Sequence, residues 1–158
     1  MSSSVLEEAV ASHPFVVGMS AAHLGILTRC AMMTRFEAGQ IVFHEGDIAN
    51  RFYLVLEGRV SLETAVSDQG LTTIQVAGPG DAFGWSWLFP PYYWHFTACA
   101  MEPTRAIFFY GTRLRECCED DRQFGYELMR RVTGVLMRRF QAMVREVVRL
   151  AASSGGAP

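Results

Sequence analysis

The sequence lacks lysine, and all fourteen of its basic side chains are arginines. Sixteen acidic residues give a formal net charge of -2, so the chain carries no overall positive field that would attract nucleic acid. Nucleic acid is therefore not an expected partner of the chain. The bias towards arginine is interpreted as genomic composition and carries no functional prediction.

Long apolar runs are missing as well. No stretch reaches the roughly 18 uninterrupted apolar residues that a membrane span requires, and residues 1–10 lack the regions of a secretory signal. These absences predict a cytoplasmic protein with no membrane partner. The four cysteines show no metal-type spacing, so we expect reduced, packed thiols, with oxidant sensing by Cys117 and Cys118 as the alternative.

Motifs for catalysis are also absent. The sequence contains neither Gly-x-Ser-x-Gly nor His-Glu-x-x-His, and its four histidines are scattered. A metal site of the cupin type needs several histidines and a glutamate on neighbouring strands, and this chain cannot assemble that set. We therefore expect no enzyme activity, no metal ion and no identifiable cofactor.

What the sequence does contain is enough for one domain with its own core, since half of its 158 residues are hydrophobic. Ser20 can cap a helix in which Leu24 and Leu27 recur at helical spacing. Short β-prone runs separated by glycine turns follow, and they predict an antiparallel roll or barrel. These runs are residues 34–36, 41–43, 52–56, 60–66, 71–76 and 106–110.

The C-terminal pattern predicts one long helix over about 121–150, roughly 45 Å in length. Leu128, Val132 and Val135 form an apolar stripe that can face the roll. A second stripe alternates three and four residues apart and predicts a homodimer, with burial of both stripes inside one subunit as the alternative. The candidate dimer-interface residues are Met129, Leu136, Phe140, Met143, Val147 and Leu150.

The arginines of this helix are interpreted as solvated residues that flank the apolar seam. The expected organisation has four parts. These are a lead-in over residues 1–18, a β-roll sensor domain over 19–120, a dimerisation helix over 121–150 and a flexible tail over 151–158.

Three local motifs carry a resemblance that covers residues 19–150. They read Phe36-Glu-Ala-Gly-Gln-Ile-Val-Phe-His-Glu-Gly-Asp, Phe52-Tyr-Leu-Val-Leu-Glu-Gly-Arg-Val and Gly80-Asp-Ala-Phe-Gly. With the order of the elements, they resemble the cyclic-nucleotide-binding domain of the catabolite-activator and fumarate-nitrate regulator (Crp/Fnr) superfamily. The resemblance implies a mainly β fold, an antiparallel β-roll of jelly-roll or cupin-like shape, with a short N-terminal helix and a long C-terminal helix.

The resemblance also implies a regulatory ligand sensor in signal transduction. A transcription regulator of this superfamily would carry a helix-turn-helix domain after the long helix. Here the sequence ends in Ala-Ala-Ser-Ser-Gly-Gly-Ala-Pro, so we expect a stand-alone homodimeric module that acts through an unidentified partner protein. The alternative is a fragment of a DNA-binding transcription regulator.

In that family the segment after the Gly80-type turn binds the cyclic phosphate and typically reads Gly-Glu-hydrophobic-Ala-Leu, a loop, then Arg-Thr-Ala. Here Trp85 falls at the place of the glutamate and Phe96 at the place of the arginine. Losing two charge-assisted contacts, each worth about 1.5–3 kcal/mol, would weaken binding by roughly two to four decades. We expect no cyclic nucleotide bound in the usual way, with an anionic ligand held by His95 or Arg105 as the alternative.

Eight aromatic residues lie between Phe83 and Phe96, and they include every tryptophan of the chain. Three interpretations stay open: rings that plug a disused cavity, a pocket for a planar or apolar small molecule, or a docking surface for a partner protein. The polar groups that would orient such a ligand are Ser86, Tyr92, Tyr93, His95 and Thr97. The candidate ligand-binding residues are Phe83, Gly84, Trp85, Ser86, Trp87, Leu88, Tyr92, Tyr93, Trp94, His95, Phe96, Thr97 and Ala98.

Overall fold

The structure is a computed structural model that describes residues 3–66, 68 and 70–155. In this part of the chain the helices are α1 Ser3–Ser12, α2 Ala21–Arg29, α3 Gly111–Asp120 and α4 Arg122–Gly155. The strands are β1 Ala31–Phe36, β2 Ile41–Phe43, β3 Arg51–Glu57, β4 Val60–Ala65, β5 Leu71–Ala77, β6 Ala82–Phe83, β7 Thr97–Ala100 and β8 Thr104–Tyr110. Single 3₁₀ turns occur at Pro14–Val16 and Ser86–Leu88.

Two four-stranded antiparallel sheets form the roll. The first sheet has the strand order β1-β8-β3-β6, and the second has the order β2-β7-β4-β5. Their facing side chains make one core, to which the first sheet contributes Tyr53 and Phe108 and the second sheet contributes Leu62 and Ala98. The predicted antiparallel roll, with a short N-terminal and a long C-terminal helix, is confirmed.

Helices cover the outer face of the first sheet. Because successive residues of a strand point to opposite faces, Phe52 and Leu54 of β3 pack with the helices while Tyr53 packs inside the roll. Both faces of β3 are therefore buried, and this explains its continuous apolar run. Leu128 and Val132 of α4 are buried in this helical layer, where the sequence placed the stripe that faces the roll.

The turn between β3 and β4 requires a glycine. Gly58 has a φ of +90°, in the left-handed region that side chains disfavour. A Cβ at this position would lie 2.4 Å from the Thr104 hydroxyl oxygen and 2.5 Å from the Pro103 carbonyl oxygen. The glycine turn therefore lets two connections of the roll pass closely over each other.

The N-terminal segment contains a helix that the sequence did not predict. The predicted lead-in contains α1, and Val10 and Phe15 are buried against the helical layer. The pattern of small and polar residues in α1 gave no clear apolar period, so the helix was missed. The predicted helix start at Ser20 is confirmed, because its hydroxyl oxygen accepts a hydrogen bond from the His23 amide at 3.2 Å.

The long helix extends past its expected end. It continues to Gly155 rather than stopping at Leu150. Alanine and serine are compatible with a helix interior, and they carry the last turn beyond the apolar seam. The last three residues of the expected tail, 156–158, lie outside the described residues.

His13 is a buried polar side chain whose hydrogen bonds define its charge state. Its Nδ1 atom accepts from the Phe15 amide at 3.1 Å, so Nδ1 is unprotonated and Nε2 donates to the Val55 carbonyl oxygen at 3.0 Å. Burial lowers the pKa of His13 below its ordinary value of 6.5, against the opposing effects of the Val55 carbonyl and the Asp81 charge. His13 is therefore neutral in the folded protein.

The stability of the protein is expected to fall as the pH drops below about 6.5. In that range the unfolded chain protonates His13 while the folded chain does not, so the free energy of unfolding decreases by at most about 1.4 kcal/mol per pH unit from this group. Urea unfolding between pH 5 and 8 measures the slope. His13→Gln keeps a neutral donor and acceptor and should flatten it, whereas an unchanged slope in that variant would contradict the assignment.

Candidate ligand-binding site

The segment between β6 and β7, residues 84–96, occupies the place of the phosphate-binding cassette in the resemblance; we call it the cassette segment. It begins at Gly84, with a φ of +86°, where a Cβ would lie 3.2 Å from the Arg51 carbonyl oxygen and 3.3 Å from the Trp94 ring. One 3₁₀ turn, Ser86–Leu88, follows. A three-residue turn aligns fewer free N–H groups than an α-helix does, so this backbone is poorly suited to hold a phosphate.

The three tryptophans of the segment diverge. Trp87 is fully buried in the helical layer, and half-buried Trp85 packs there against Phe52 with ring centroids 6.0 Å apart. Trp94 lies on the roll side, stacked on Phe43 with ring centroids 3.7 Å apart and planes 9° from parallel. The aromatic residues that are adjacent in sequence are thus shared between two separate cores.

Four rings fill the roll interior beside Gly84; we call them the ring stack, and they are Phe43, Tyr53, Phe83 and Trp94. Tyr53 stacks on Phe83 at 4.8 Å with planes 5° apart, and Phe43 lies 6.1 Å from Phe83. Trp94 is only 5% exposed, and Phe83 is fully buried. Burial also raises the pKa of Tyr53, so its hydroxyl stays neutral. Side chains of the protein itself therefore occupy the space next to the cassette segment.

The candidate orienting groups do not converge on a common point. The Ser86 hydroxyl and His95 Nδ1 lie 3.1 Å apart, and the His95 side chain is exposed. Thr97 is buried, and its hydroxyl oxygen accepts a hydrogen bond from the Glu45 amide at 3.0 Å. Ser86 and His95 are thus brought together, but Thr97 is committed to the neighbouring loop.

The remaining candidates differ in exposure. Tyr93 and Phe96 are exposed, at 47% and 38%, and only the backbone of Tyr93 pairs across to Ile48. Leu88 is half-buried and packs against the helical layer. Ala98 is fully buried in the roll core. These candidate residues are therefore divided among the helical layer, the roll core and the surface.

Arg105 lies away from the cassette segment. Its guanidinium donates to the Glu57 carboxylate at 2.8 Å on the exposed side of the roll, and this hydrogen bond holds the pKa of Glu57 below its ordinary value. Arg105, the candidate partner of an anionic ligand, is therefore paired with Glu57, a carboxylate of the same sheet.

Two arginines reach the cassette segment from the helices, and the sequence did not single them out. Arg139 of α4 donates to the Ala82 carbonyl oxygen, and its guanidinium lies 4.7 Å from the Trp85 ring centroid. Arg115 of α3 donates to the Trp87 carbonyl oxygen in the same way. It also covers the ring of Tyr92, whose φ is +64°, at 4.5 Å. The sequence pattern alone indicates that Arg115 and Arg139 are solvated helix residues. Their contacts with the cassette segment form only when the helices pack on the roll.

The predicted dimer-interface stripe lies largely on the surface of the protomer. Leu136 is half-buried against the helical layer. The exposed fractions of the other members are 39% for Met129, 60% for Phe140, 59% for Met143, 65% for Val147 and 53% for Leu150. Half of α4 therefore presents large apolar side chains that its own roll does not cover.

Membrane-spanning helices and metal-ion clusters are both absent from the described residues. No helix among residues 3–66, 68 and 70–155 combines the length and apolar character of a membrane span. Across the same residues, no three His, Cys, Asp or Glu side chains form a group that could hold a metal ion.

Comparison with curated proteins gives a relative with a longer chain. The CRP-like cAMP-activated global transcriptional regulator of Mycobacterium tuberculosis is 26% identical over 136 residues, which are 86% of this chain. This chain spans 59% of that relative's length.

Solved structures give two close neighbours. A crystal structure of a protein from Geobacter metallireducens GS-15 has a TM-score of 0.75 and 28% identity, covering 89% of this chain and 98% of its own. A cyclic nucleotide-binding domain from Methylobacillus flagellatus KT has a TM-score of 0.78 and 18% identity, over 93% of this chain and 83% of its own. The family profile for the cyclic nucleotide-binding domain matches residues 33–121, which is more than half of the sequence. The chain belongs to the cyclic nucleotide-binding domain family.

Proposed function

We propose that this chain is a non-catalytic regulatory module whose cassette segment does not hold a cyclic nucleotide in the usual way. The observation that carries the proposal is the ring stack, which occupies the roll interior beside Gly84. Trp85 and Phe96 add to it, because they replace the two charged groups that the family resemblance implies. The cassette segment therefore lacks the charged groups that would recognise a cyclic phosphate, and the roll interior beside it lacks space for the ligand.

Opening the stack would be unfavourable. Moving Trp94 out of its site would expose a large apolar surface and break its stacking on Phe43. An incoming cyclic nucleotide would offer a negative charge to a segment with no cationic side chain between residues 82 and 101 other than the exposed His95. The segment itself would therefore offer no charge-assisted contact to offset that loss, and the guanidinium groups of Arg115 and Arg139 already lie on the rings of Tyr92 and Trp85.

We also propose that the functional unit is a homodimer joined through α4. The stripe from Met129 to Leu150 alternates four and three residues apart, with Thr133 as one polar member, and this spacing is typical of a two-stranded coiled coil. A stripe of this spacing is self-complementary, so a second copy of α4 is the occupant that fits it. A non-catalytic dimer acts through what it binds, and we propose that it regulates a partner protein.

Titration with cyclic AMP or cyclic GMP is expected to give no saturable heat up to about 1 mM ligand. The expectation follows from two lost charge-assisted contacts, worth roughly two to four decades of affinity, together with the filled interior. Isothermal calorimetry on the full chain measures it. A dissociation constant in the micromolar range would overturn the proposal.

The double variant Trp85→Glu with Phe96→Arg separates the two causes. It restores both charges but leaves the ring stack in place, so it too should bind no cyclic nucleotide. Its folding is checked by its thermal melting curve. Saturable binding gained in this variant would mean that charge alone limits the site and that the ring stack does not close it.

A further inference from the structure

A cavity lies outside the roll, on the side where α4 packs. It is a groove of about 660 Å³ between α4, the turn that leads into β6, and the 3₁₀ turn after α1. Its charged lining consists of Arg130, Arg131, Arg138, Arg139, Asp81 and Glu127. We call it the arginine groove.

The groove is locally positive although the chain as a whole is negative. Four guanidinium groups face two carboxylates, and Glu127 is taken by Arg131, with a separation of 2.8 Å. Arg131 also donates to the carbonyl oxygens of Phe15 and Val17. The Arg131–Glu127 pair is therefore engaged in holding the fold together. The positive charge of the groove comes from Arg130, Arg138 and Arg139.

Those three arginines form no ion pair within the part of the chain that the structure describes. Arg130 lies 5.8 Å from the ring centroid of Tyr126, and Arg138 is exposed. Asp81 accepts a hydrogen bond from the Gly78 amide at 2.8 Å, so it is engaged in its own turn. An anion in the groove would meet Arg130 and Arg138 without an ion-pair partner, while Asp81 acts on Arg139 only from beyond ion-pair distance.

Arg139 is the most desolvated of these cations. Burial lowers its pKa to about 10, with the Asp81 charge opposing the shift, so it stays protonated at neutral pH. Its guanidinium rests on the Trp85 ring and donates to the Ala82 carbonyl oxygen. A half-buried cation held by a ring and a carbonyl, with no counter-charge at contact distance, favours the entry of an anion.

We propose that the arginine groove binds a small phosphate-rich anion, such as a polyphosphorylated metabolite. Its volume falls in the range of roughly 300–1,000 Å³ typical of small-molecule sites. Guanidinium groups match phosphate oxygens with paired donors, and three of them lining one groove suit a ligand with more than one phosphate. The ligand would be sensed at Arg139, whose contacts lead directly to the cassette segment.

The groove adjoins the cassette segment at Arg139, and at Arg138 it faces away from the apolar stripe. Arg138 is two residues from Leu136 and two from Phe140, so it lies about 200° around α4 from the apolar stripe. Dimerisation along that stripe therefore leaves the Arg138 side of the groove open. The inference goes beyond the proposed function, because it depends neither on a closed cassette segment nor on the dimer.

Calorimetry with inorganic tripolyphosphate, and separately with ATP, tests the inference on the full chain. Both are expected to show saturable binding at submillimolar concentration, together with a change in tryptophan fluorescence from Trp85. Arg138→Gln should weaken binding about 10-fold, and Arg130→Gln with Arg138→Gln about 100-fold. If ATP binds more tightly than tripolyphosphate, the groove recognises a nucleotide. If the two bind equally, it recognises the phosphate groups alone.

Arg145→Gln is the matched control. Arg145 is exposed, lies two helical turns beyond Arg138 on the same face of α4, and is outside the groove. It removes the same charge and should change affinity by less than about twofold. Absence of saturable binding at about 1 mM ligand would overturn the inference, and so would an equal effect of Arg145→Gln and Arg138→Gln. Tighter binding of duplex DNA with the same sensitivity to Arg138→Gln would make the groove a nucleic-acid contact instead.

Discussion

Replacing Trp87 with alanine is expected to lower the free energy of unfolding by about 3–5 kcal/mol, the usual cost of truncating a buried large aromatic side chain. Trp87 is fully buried and joins its own 3₁₀ turn to two other elements, since it packs near Phe52 of the first sheet and against the start of α3. A Cβ at Gly111 would lie only 2.6 Å from the Trp87 Cβ. The cavity left by alanine could not close, because the surrounding sheet and helices are held by their own cores. Urea unfolding at constant m-value measures the loss.

Two comparison variants sharpen this test. Trp87→Phe retains a ring and removes the indole Nε1–H, which is buried with no hydrogen-bond partner among the described residues, so it should cost less than half as much. Phe89→Ala removes a 48% exposed ring from the same segment and should cost no more than about 0.5 kcal/mol. Equal losses for Phe89→Ala and Trp87→Ala would show that the segment is not divided between core and surface as described.

Phe140→Glu is expected to convert a dimer into a monomer. The side chain is 60% exposed in the protomer, so the fold should tolerate the change, but two glutamates would face each other across the proposed seam. Burying unpaired charges there should raise the dimer dissociation constant by at least about 100-fold. Sedimentation equilibrium distinguishes one 17.6 kDa chain from a particle of twice that mass.

Gln141→Glu serves as the matched control for the seam. Gln141 is exposed and adjoins Phe140, but it is not a member of the apolar stripe, so the same added charge should leave the dimer intact. Circular dichroism confirms that both variants keep their helices. A monomeric parent protein would contradict the seam, and so would a Gln141→Glu protein that dissociates as readily as Phe140→Glu.

The sequence predicted the framework of this fold well because its signals are local. Glycine turns such as Gly58 are fixed by backbone geometry, and the apolar run of β3 follows from burial on both of its faces. The start of α2 at Ser20 rests on a side-chain cap within the same turn. The two-residue strand β6 is too short to show any period, and its pairing depends on β3 instead.

The candidate site was harder to predict because its signals are not local. The sequence shows that Trp85, Trp87 and Trp94 are close together along the chain, but a 3₁₀ turn breaks the alternation that would assign each ring to a face. The division between the helical layer and the ring stack is therefore a tertiary result. The same holds for Arg115 and Arg139, which reach the cassette segment only after two helices have packed on the roll.

Arg139 also divides the long helix into a part that is hydrogen-bonded to the roll and a part beyond it. Beyond it, α4 makes no further hydrogen bond to the roll among the described residues, and it runs on to Gly155 as a rod of about 24 Å. If α4 tilted by about 10° at Arg139, its C-terminal end would move by about 4 Å. A small adjustment around Ala82 would therefore produce a larger movement at Gly155. In a dimer paired along the apolar stripe, the two copies of α4 would have to tilt together. A change around Ala82 in one roll would then move the helix of the other protomer as well.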